Sequence, residues 1–492
     1  MQTLLTLAKA IGFSEKDIES PNLPITDIAY NSKNAAHGVL FVCLVGAVTD
    51  GHRYAADAYL RGSRVFVTEK AVSLPEDAII LRVENSRRAL ALLSAAFFDH
   101  PESKLTIIGV TGTKGKSTIA EMVRHILTEN RIPAASIGTV GVRVGDVLTP
   151  TANTTPESYE LFRIFSEIEK KGIRHAVIEV SSQGVKLDRI HGIHFHTAIM
   201  TNLSEDHIGG AEHPTFEDYK SCKKELFSRT ENAIFNADDP YFDEFHSSAT
   251  ALSYTYSICE RADYTAKSIA PVMTEEGFAT SFVLETKNSN TEVTLPFPGR
   301  FSVSNALAAI SAASLLGIHV KDAAQALATA TVKGRFERVH TPIPGVTFII
   351  DYAHNGESLS SALCALRAYQ PSRLICLFGS VGGRTEVRRR ELGIAAAEYA
   401  DFSILTDDNP DRESSADIIS DIEKHMNGAP RIAIPNRKEA IEYAVSIARE
   451  GDIVLFAGKG HENYQLINGK KLPFSEKECI LSAAEKLSVT KF

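Results

Sequence analysis

"GVTGTKGKST" (residues 109–118) is the stretch on which the fold turns. It follows an apolar run, "LTIIGV" (105–110), and leads into "STIAEMVRHILTEN" (117–130), where Ile119, Met122, Val123, Ile126 and Leu127 share one helical face. The order is strand, glycine turn, helix. Gly112 and Gly115 permit a tight turn, so backbone N–H groups can wrap a phosphate at the start of the helix. Lys116 is placed to reach β- and γ-phosphates, and Ser117 to offer a hydroxyl to Mg²⁺. The spacing departs from the common phosphate loop G-x-x-x-x-G-K-[ST], whose first glycine falls here on Val110. An ordinary glycine-rich turn is the competing reading, and the Gly-Lys-Ser-Thr ending weighs against it.

Outward from the loop, short apolar runs alternate with helical stretches. Before it, "VLFVCLVG" (39–46) and "SRVFVTEK" (63–70) predict buried strands and "YAADAYLRG" (54–62) a helix, with "DHPESK" (99–104) as a linker. After it come strands at "HAVIEV" (175–180) and "TAIMTNL" (197–203), then a small-residue helix, "FSVSNALAAISAASLLGI" (301–318). A third α/β pattern has strands at "VTFIID" (346–351), "RLICLFG" (373–379), "FSILT" (402–406) and "DIVLFAG" (452–458). Strands alternating with helices imply parallel sheets, whose ligands gather at the carboxyl ends of the strands.

A chain of 492 residues exceeds one core. Its 44% hydrophobic and 23% charged content is that of a globular protein. A net charge of −9 argues against nucleic acid as the main partner. No apolar run is long enough to cross a membrane, and the N-terminal residues lack the features of a signal peptide. Six scattered cysteines without a C-x-x-C suggest neither a zinc site nor a disulfide framework. The expectation is a reduced, cytoplasmic protein without membrane insertion.

The loop resembles the ATP loop of the Mur ligases, and further marks of that family follow in order. "TANTTPE" (151–157) resembles its N-T-T-P substrate loop. "IEVSSQGVKLDRIHG" (178–192), "TNLSEDH" (201–207), "TFEDYKSCKKELF" (215–227) and "FNADDP" (235–240) resemble its central motifs. "GRFSVSN" (299–305), "GRFERV" (334–339), "DYAHNGESL" (351–359), "TDDNPDRES" (406–414) and "GKGHENYQ" (458–465) complete the series. The last three point to the tripeptide synthetase branch.

The resemblance implies an α/β chain of three domains. These are a uridine-binding N-terminal α/β domain (1–98), a central P-loop ATPase-like parallel-sheet domain (99–336) and a Rossmann-like C-terminal domain for the amino acid (337–492). It implies an ATP-dependent ligase that activates a carboxylate as an acyl phosphate, so that catalysis is mostly charge neutralisation and positioning. ATP would be held by Gly112, Thr113, Lys114, Gly115, Lys116, Ser117 and Thr118, with Asn305, Arg335, Asp351 and His354 reaching the nucleotide. The implied catalytic set is Lys116, Glu179, His207 and Lys223. Ser117 and Glu179 would hold one Mg²⁺, and His207 and a carbamate on Lys223 a second. A free ammonium would repel the metal, whereas a carbamate is an anionic oxygen ligand. Of Lys220, Lys223 and Lys224, only Lys223 lies four residues after Tyr219, as in the family.

Ser32, Asn153, Thr154, Thr155, Ser181, Ser182 and Arg189 match positions that bind UDP-N-acetylmuramoyl-dipeptide, although caps and turns are the plain alternative for the Ser and Thr residues. Asn31-Ser32-Lys33 replaces the family's Asp-Ser-Arg, and Lys33 cannot make the bidentate fork of arginine. Arg384, Asp408, Asn409, Asp411, Gly458 and Glu462 match amino-acid positions, with Arg384 on the α-carboxylate and Asp408 and Glu462 on amino groups.

Ligases of this branch that add meso-diaminopimelate usually read D-N-P-R, the arginine clamping the distal carboxylate. Here the fourth residue is Asp411, followed by Arg412. An anion at this position favours a distal ammonium, so the expected third residue is L-lysine or a similar diamino acid such as ornithine. Meso-diaminopimelate is the alternative, carried by "GKGHE" (458–462) and by a one-residue shift that lets Arg412 substitute. More distant readings are a folylpolyglutamate synthase-like ligase, which would lack the uridine-binding domain, and a non-catalytic homologue, which would lose one of the catalytic four. A generic P-loop NTPase would end its strand in Asp, not Glu179.

Overall fold

The computed structural model describes residues 1–492 except 47–48, 206–208, 210–211, 275–276, 384–385 and 491–492. Two compact units emerge. One comprises Met1–Tyr264 with Ala308–His319, the other Thr265–Leu307 with Val320–Phe492.

The first unit contains a short antiparallel pair, Gln2–Thr3 with Pro24–Ile25, and two larger sheets. Four parallel strands, β1 (Asp27–Ala29), β2 (Val39–Val42), β3 (Val65–Thr68) and β4 (Ile79–Arg82), lie in sequence order. The larger sheet is built around β5 (Thr106–Thr111). Its other members within this unit are β6 (Ala134–Gly138), β7 (Gly141–Val144), β8 (Val147–Thr149), β9 (His175–Glu179), β10 (Phe195–Met200), β11 (Thr230–Asn236) and β12 (Leu252–Ser257). The order is β8-β7-β6-β9-β5-β10-β11-β12, antiparallel only at β6-β7-β8. These strands are apolar because helices cover both faces. Ile107, Ile137, Ile178 and Ala198 pack with Phe162, Phe165 and Phe195 in one core. Each large side chain buried in this way contributes about 1.5–3 kcal/mol.

Register places the functional ends together. Glu179 pairs with Val110, and Met200 with Thr111, so β9, β5 and β10 finish at one edge. From that edge the chain enters α1 (Lys116–Glu129), whose buried face is Ile119, Met122, Val123, Ile126 and Leu127. The short helix α2 (Ser182–Lys186) follows β9, and α3 (Phe216–Glu225) follows the segment after β10. The expected linker at 99–104 is largely a 3₁₀ turn, Pro101–Lys104.

The second unit has an antiparallel pair, β13 (Gly277–Thr286) and β14 (Asn290–Leu295), and a six-stranded sheet. The sheet consists of β15 (Glu337–Val339), β16 (Thr347–Asp351), β17 (Leu374–Phe378), β18 (Phe402–Leu405), β19 (Arg431–Ala433) and β20 (Ile453–Ala457). Their order is β15-β16-β20-β17-β18-β19, all parallel except β15. A hairpin of β21 (Tyr464–Ile467) and β22 (Lys470–Pro473) follows β20. Asn305 lies on the helix Arg300–Leu315 and is buried. Among the described residues, no helix is long and apolar enough to cross a membrane.

Candidate active site

The glycines of the loop are required by contact and by backbone. Gly112 has φ of 138° and Gly115 of 87°, and a Cβ on Gly112 would stand 1.8 Å from Thr201 Oγ1. The loop is moulded on the end of β10. Thr113 N–H donates to Asn202 O (2.8 Å), and Lys114 N–H to Asn202 Oδ1 (2.9 Å). Lys114 O accepts from Thr201 Oγ1 at 2.6 Å. The backbone of Lys114 is thus pinned from both sides, whatever its side chain.

Lys116 Nζ donates to Gly112 O (2.8 Å) and Thr113 O (3.0 Å). Ser117 Oγ donates to Glu179 Oε2 at 2.9 Å, and both residues are buried. The other Glu179 oxygen accepts from Thr139 N–H (2.8 Å), and Thr139 Oγ1 reaches Oε2 at 3.2 Å. Gly138 makes room for this carboxylate, since a Cβ there would meet Oε1 at 2.0 Å. Thr118 follows on the first turn of α1.

The structure separates the three lysines of α3. Lys220 pairs with Glu217 and Glu244, and Lys224 with Glu244. Lys223 is 1% exposed, donates to Gly112 O at 2.9 Å and lies 4.3 Å from the Tyr219 ring centre. His207 lies outside the described residues.

A cavity of about 290 Å³ opens beside these groups, and Lys116, Asn153, Thr154, Ser182, Arg189 and Lys223 are among its lining residues. Ser181 also lines it. Thr155 sits behind, fully buried, donating to Glu179 O (2.8 Å) and accepting from Ser181 N–H (2.9 Å). Arg189 is held by Glu157 Oε1 (2.9 Å from Nε) and Thr155 O (3.0 Å), and Glu157 also takes Arg87 from the helix after β4. Ser32 is buried just after β1, in the 3₁₀ turn Ser32–Asn34.

In the second unit, Asp351 ends β16 and accepts from Phe336 N–H (2.9 Å) and Ala353 N–H (2.8 Å). Burial pushes its carboxyl up, and Arg335 opposes the shift. Arg335 lies 4.8 Å from the Tyr352 ring, which also meets His354 at 4.6 Å and His461 at 4.9 Å. Burial lowers His461 to about 4, aided by Arg335, so it is neutral near pH 7.

The amino-acid positions after β18 and β20 converge on a lysine that sequence reasoning passed over. Lys459 is fully buried and donates to Asn409 Oδ1 (2.8 Å) and Glu462 Oε2 (2.8 Å), with Asp408 Oδ1 at 3.6 Å. Burial raises the Asp408 carboxyl, opposed first by Lys459 and then by Arg437. Gly458, with φ of 110°, brings the backbone within 3.1 Å (Cβ position) of Asp408 Oδ2. Arg437, also missed, is wholly buried against Glu476 Oε1 (2.7 Å) and Ala457 O (2.8 Å). Arg384 lies outside the described residues.

Asp411 does something other than the charge argument assumed. It adopts φ of 53°, donates its N–H to Leu466 O (3.0 Å) and accepts Gly469 N–H on Oδ1 at 2.6 Å. Its carboxylate caps the turn of the β21–β22 hairpin. Arg412, beside it, is exposed and has no ion-pair partner among the described residues.

Comparisons with known proteins agree with this arrangement. Residues 110–313 match the Mur ligase middle domain, and residues 334–460 match the family described as Mur ligase, glutamate ligase domain. A UDP-N-acetylmuramoyl-L-alanyl-D-glutamate–2,6-diaminopimelate ligase of Caldanaerobacter subterraneus subsp. tengcongensis is 38% identical over 95% of this chain and 97% of its own. A protein of the same name from Geobacillus kaustophilus is 36% identical, over 99% of this chain and 100% of its own. A solved structure of an identically named ligase superposes with TM-score 0.71 at 27% identity, covering 99% of this chain and 100% of that one. The chain therefore belongs to the Mur ligases, ATP-dependent ligases of three-domain α/β architecture, and to their tripeptide synthetase branch.

Proposed function

We propose that this enzyme joins 2,6-diaminopimelate to UDP-N-acetylmuramoyl-L-alanyl-D-glutamate in peptidoglycan synthesis, using ATP and Mg²⁺. The observation that carries the choice of amino acid is the name shared by relatives 36–38% identical over nearly the whole chain. The expectation of L-lysine rested on the charge of Asp411, whose carboxylate accepts Gly469 N–H at the turn of the β21–β22 hairpin. Arg412 supports the same choice as a cation for a distal carboxylate.

In this reading the γ-phosphoryl of ATP passes to the D-glutamyl carboxylate and ADP leaves. The amine then attacks the acyl carbon, and phosphate departs with one carboxylate oxygen. Loop N–H groups and Lys116 neutralise the phosphates. Ser117 and Glu179 offer buried oxygen donors, the set that suits a hard cation such as Mg²⁺. When bound, the ion would supply charge neutralisation at the reacting oxygens. Lys223, as a carbamate, and His207 are the proposed partners of a second ion. Asn153, Thr154, Ser182, Arg189 and Ser32 take the UDP-linked peptide, with Ser181 lining the cavity and Thr155 behind it. Asn305, Arg335, Asp351 and His354 serve the nucleotide, and Arg384, Asp408, Asn409 and Glu462 the amino acid. Segments 1–98, 99–336 and 337–492 divide these tasks, in a cytoplasmic monomer.

Phosphate release with ATP, Mg²⁺ and the UDP-linked dipeptide tests this, with diaminopimelate, L-lysine or L-ornithine supplied in turn. Diaminopimelate is expected to give the highest rate. A preference for lysine would restore the charge argument at Asp411, and release indifferent to all three would refute the ligase step.

A further inference from the structure

His213, 1% exposed, touches two residues that line the cavity, Ser182 and Tyr219, and is absent from the residues assigned above. Both of its ring nitrogens are bonded. Nδ1 meets Asp218 Oδ2 at 2.7 Å, and Nε2 meets Ser182 Oγ at 2.9 Å. Cys222 completes a group of three metal-type donors, but with both ring nitrogens already bonded the group is a hydrogen-bonding chain.

The direction of that chain follows from its acidic end. Lys186 Nζ, at 2.8 Å, and His213 hold Asp218 below the usual carboxylate range. A carboxylate only accepts, so Nδ1 carries the hydrogen. In the neutral ring Nε2 then offers a lone pair, and the Ser182 hydroxyl must donate to it. Ser181 cannot take the same part. Its Oγ accepts from Gly184 N–H (3.0 Å), and its hydrogen is drawn to Thr155 Oγ1 (3.1 Å), whose own hydrogen goes to Glu179 O. The edge of His213 also packs on Tyr219, with ring centres 5.3 Å apart, which fixes the imidazole plane.

We infer that His213 is a positioning residue that turns the Ser182 hydroxyl into a hydrogen-bond acceptor toward the cavity, matched to an amide N–H of the UDP-linked peptide. Carboxylates of the substrate are left to Arg189 and Lys116. The inference rests on the substrate proposed above for the identity of the donor, and on the hydrogen-bond chain alone for the polarity.

Two measurements test it. Long-range ¹H–¹⁵N spectra of ¹⁵N-histidine-labelled full-length protein near pH 8 are expected to show His213 as the neutral Nδ1–H tautomer. An Nε2–H tautomer would overturn the inference, with or without activity. In the phosphate-release assay, His213→Ala is expected to raise KM for the UDP-linked dipeptide about tenfold. It should leave kcat and the KM for ATP within about threefold. An ester analogue lacking the amide N–H should lose about tenfold with the wild type and much less with the variant. Equal losses in both proteins would overturn the match to an amide. If no amino acid supports phosphate release, the substrate proposal fails, and the tautomer still decides the polarity.

Discussion

The two units hold their buried carboxylates with different kinds of donor. In the first, Glu179 takes hydrogen bonds from neutral donors, the Ser117 hydroxyl and the N–H and hydroxyl of Thr139. In the second, Asp408 and Glu462 already face the ammonium of Lys459, and Glu476 faces Arg437. There the three acids face two cations, which leaves one negative charge for an added ammonium. In the proposed reading, hydroxyl and N–H groups hold the carboxylate assigned to Mg²⁺, and a lysine ammonium holds those assigned to the amino acid.

Substitutions at the charged groups should separate the two designs. The largest effect is expected at Lys223, the lysine of α3 that faces the loop. Lys223→Ala should lower the phosphate-release rate about 10³-fold. Lys220→Ala and Lys224→Ala should stay within about threefold, and a comparable loss at Lys220 would remove the distinction drawn among them. Next comes Lys459→Met, which leaves Asp408 and Glu462 without their cation. It should cost about 3–5 kcal/mol in urea unfolding, and Asp408→Asn in the same chain should recover part of it. Unchanged stability would show that Lys459 does not hold the cluster together. A smaller effect, about tenfold in rate, is expected for Thr139→Val, with a raised Mg²⁺ requirement. No change in that requirement would separate Thr139 from the metal. Asp411→Asn keeps an acceptor for Gly469 and should leave the preference between diaminopimelate and lysine within about twofold. A large swing toward diaminopimelate would mean that the carboxylate does reach the substrate.

The pH response should follow the second unit. His461 titrates near 6.5 when unfolded and about 4 when folded, so the unfolded chain binds the extra proton between these values. Its contribution is complete above about 6.5 and is lost as pH falls toward 4. His461→Asn should flatten that part of the stability curve.

The sequence made the central parallel strands legible because they are continuous apolar runs bounded by glycine and polar residues. The loop and the ends of β9 and β10 followed from local pattern, and the choice of Lys223 from the resemblance to the family. The antiparallel strands β7, β8, β13, β14, β21 and β22 were not anticipated, being short or half-exposed with no sustained apolar period. Lys459 was missed for a different reason. A lysine reads as a solvated residue, and only a partner 50 positions away, Asn409, and the neighbouring acids reveal it as buried. Asp411 misled because its motif fixes the position in the chain but not the direction of the side chain. That direction is set by a positive φ and by a hairpin some 58 residues downstream. Thr139 and His213 carry no local signal, since each acts through a group brought near by the sheet.

The proposed reaction passes through an acyl phosphate of the D-glutamyl carboxylate. Labelling that carboxylate with ¹⁸O and analysing the released phosphate by mass spectrometry tests it directly. One ¹⁸O per phosphate is the predicted result, because the departing phosphate keeps the bridging carboxylate oxygen. Phosphate free of ¹⁸O, released in step with product formation, would contradict the account.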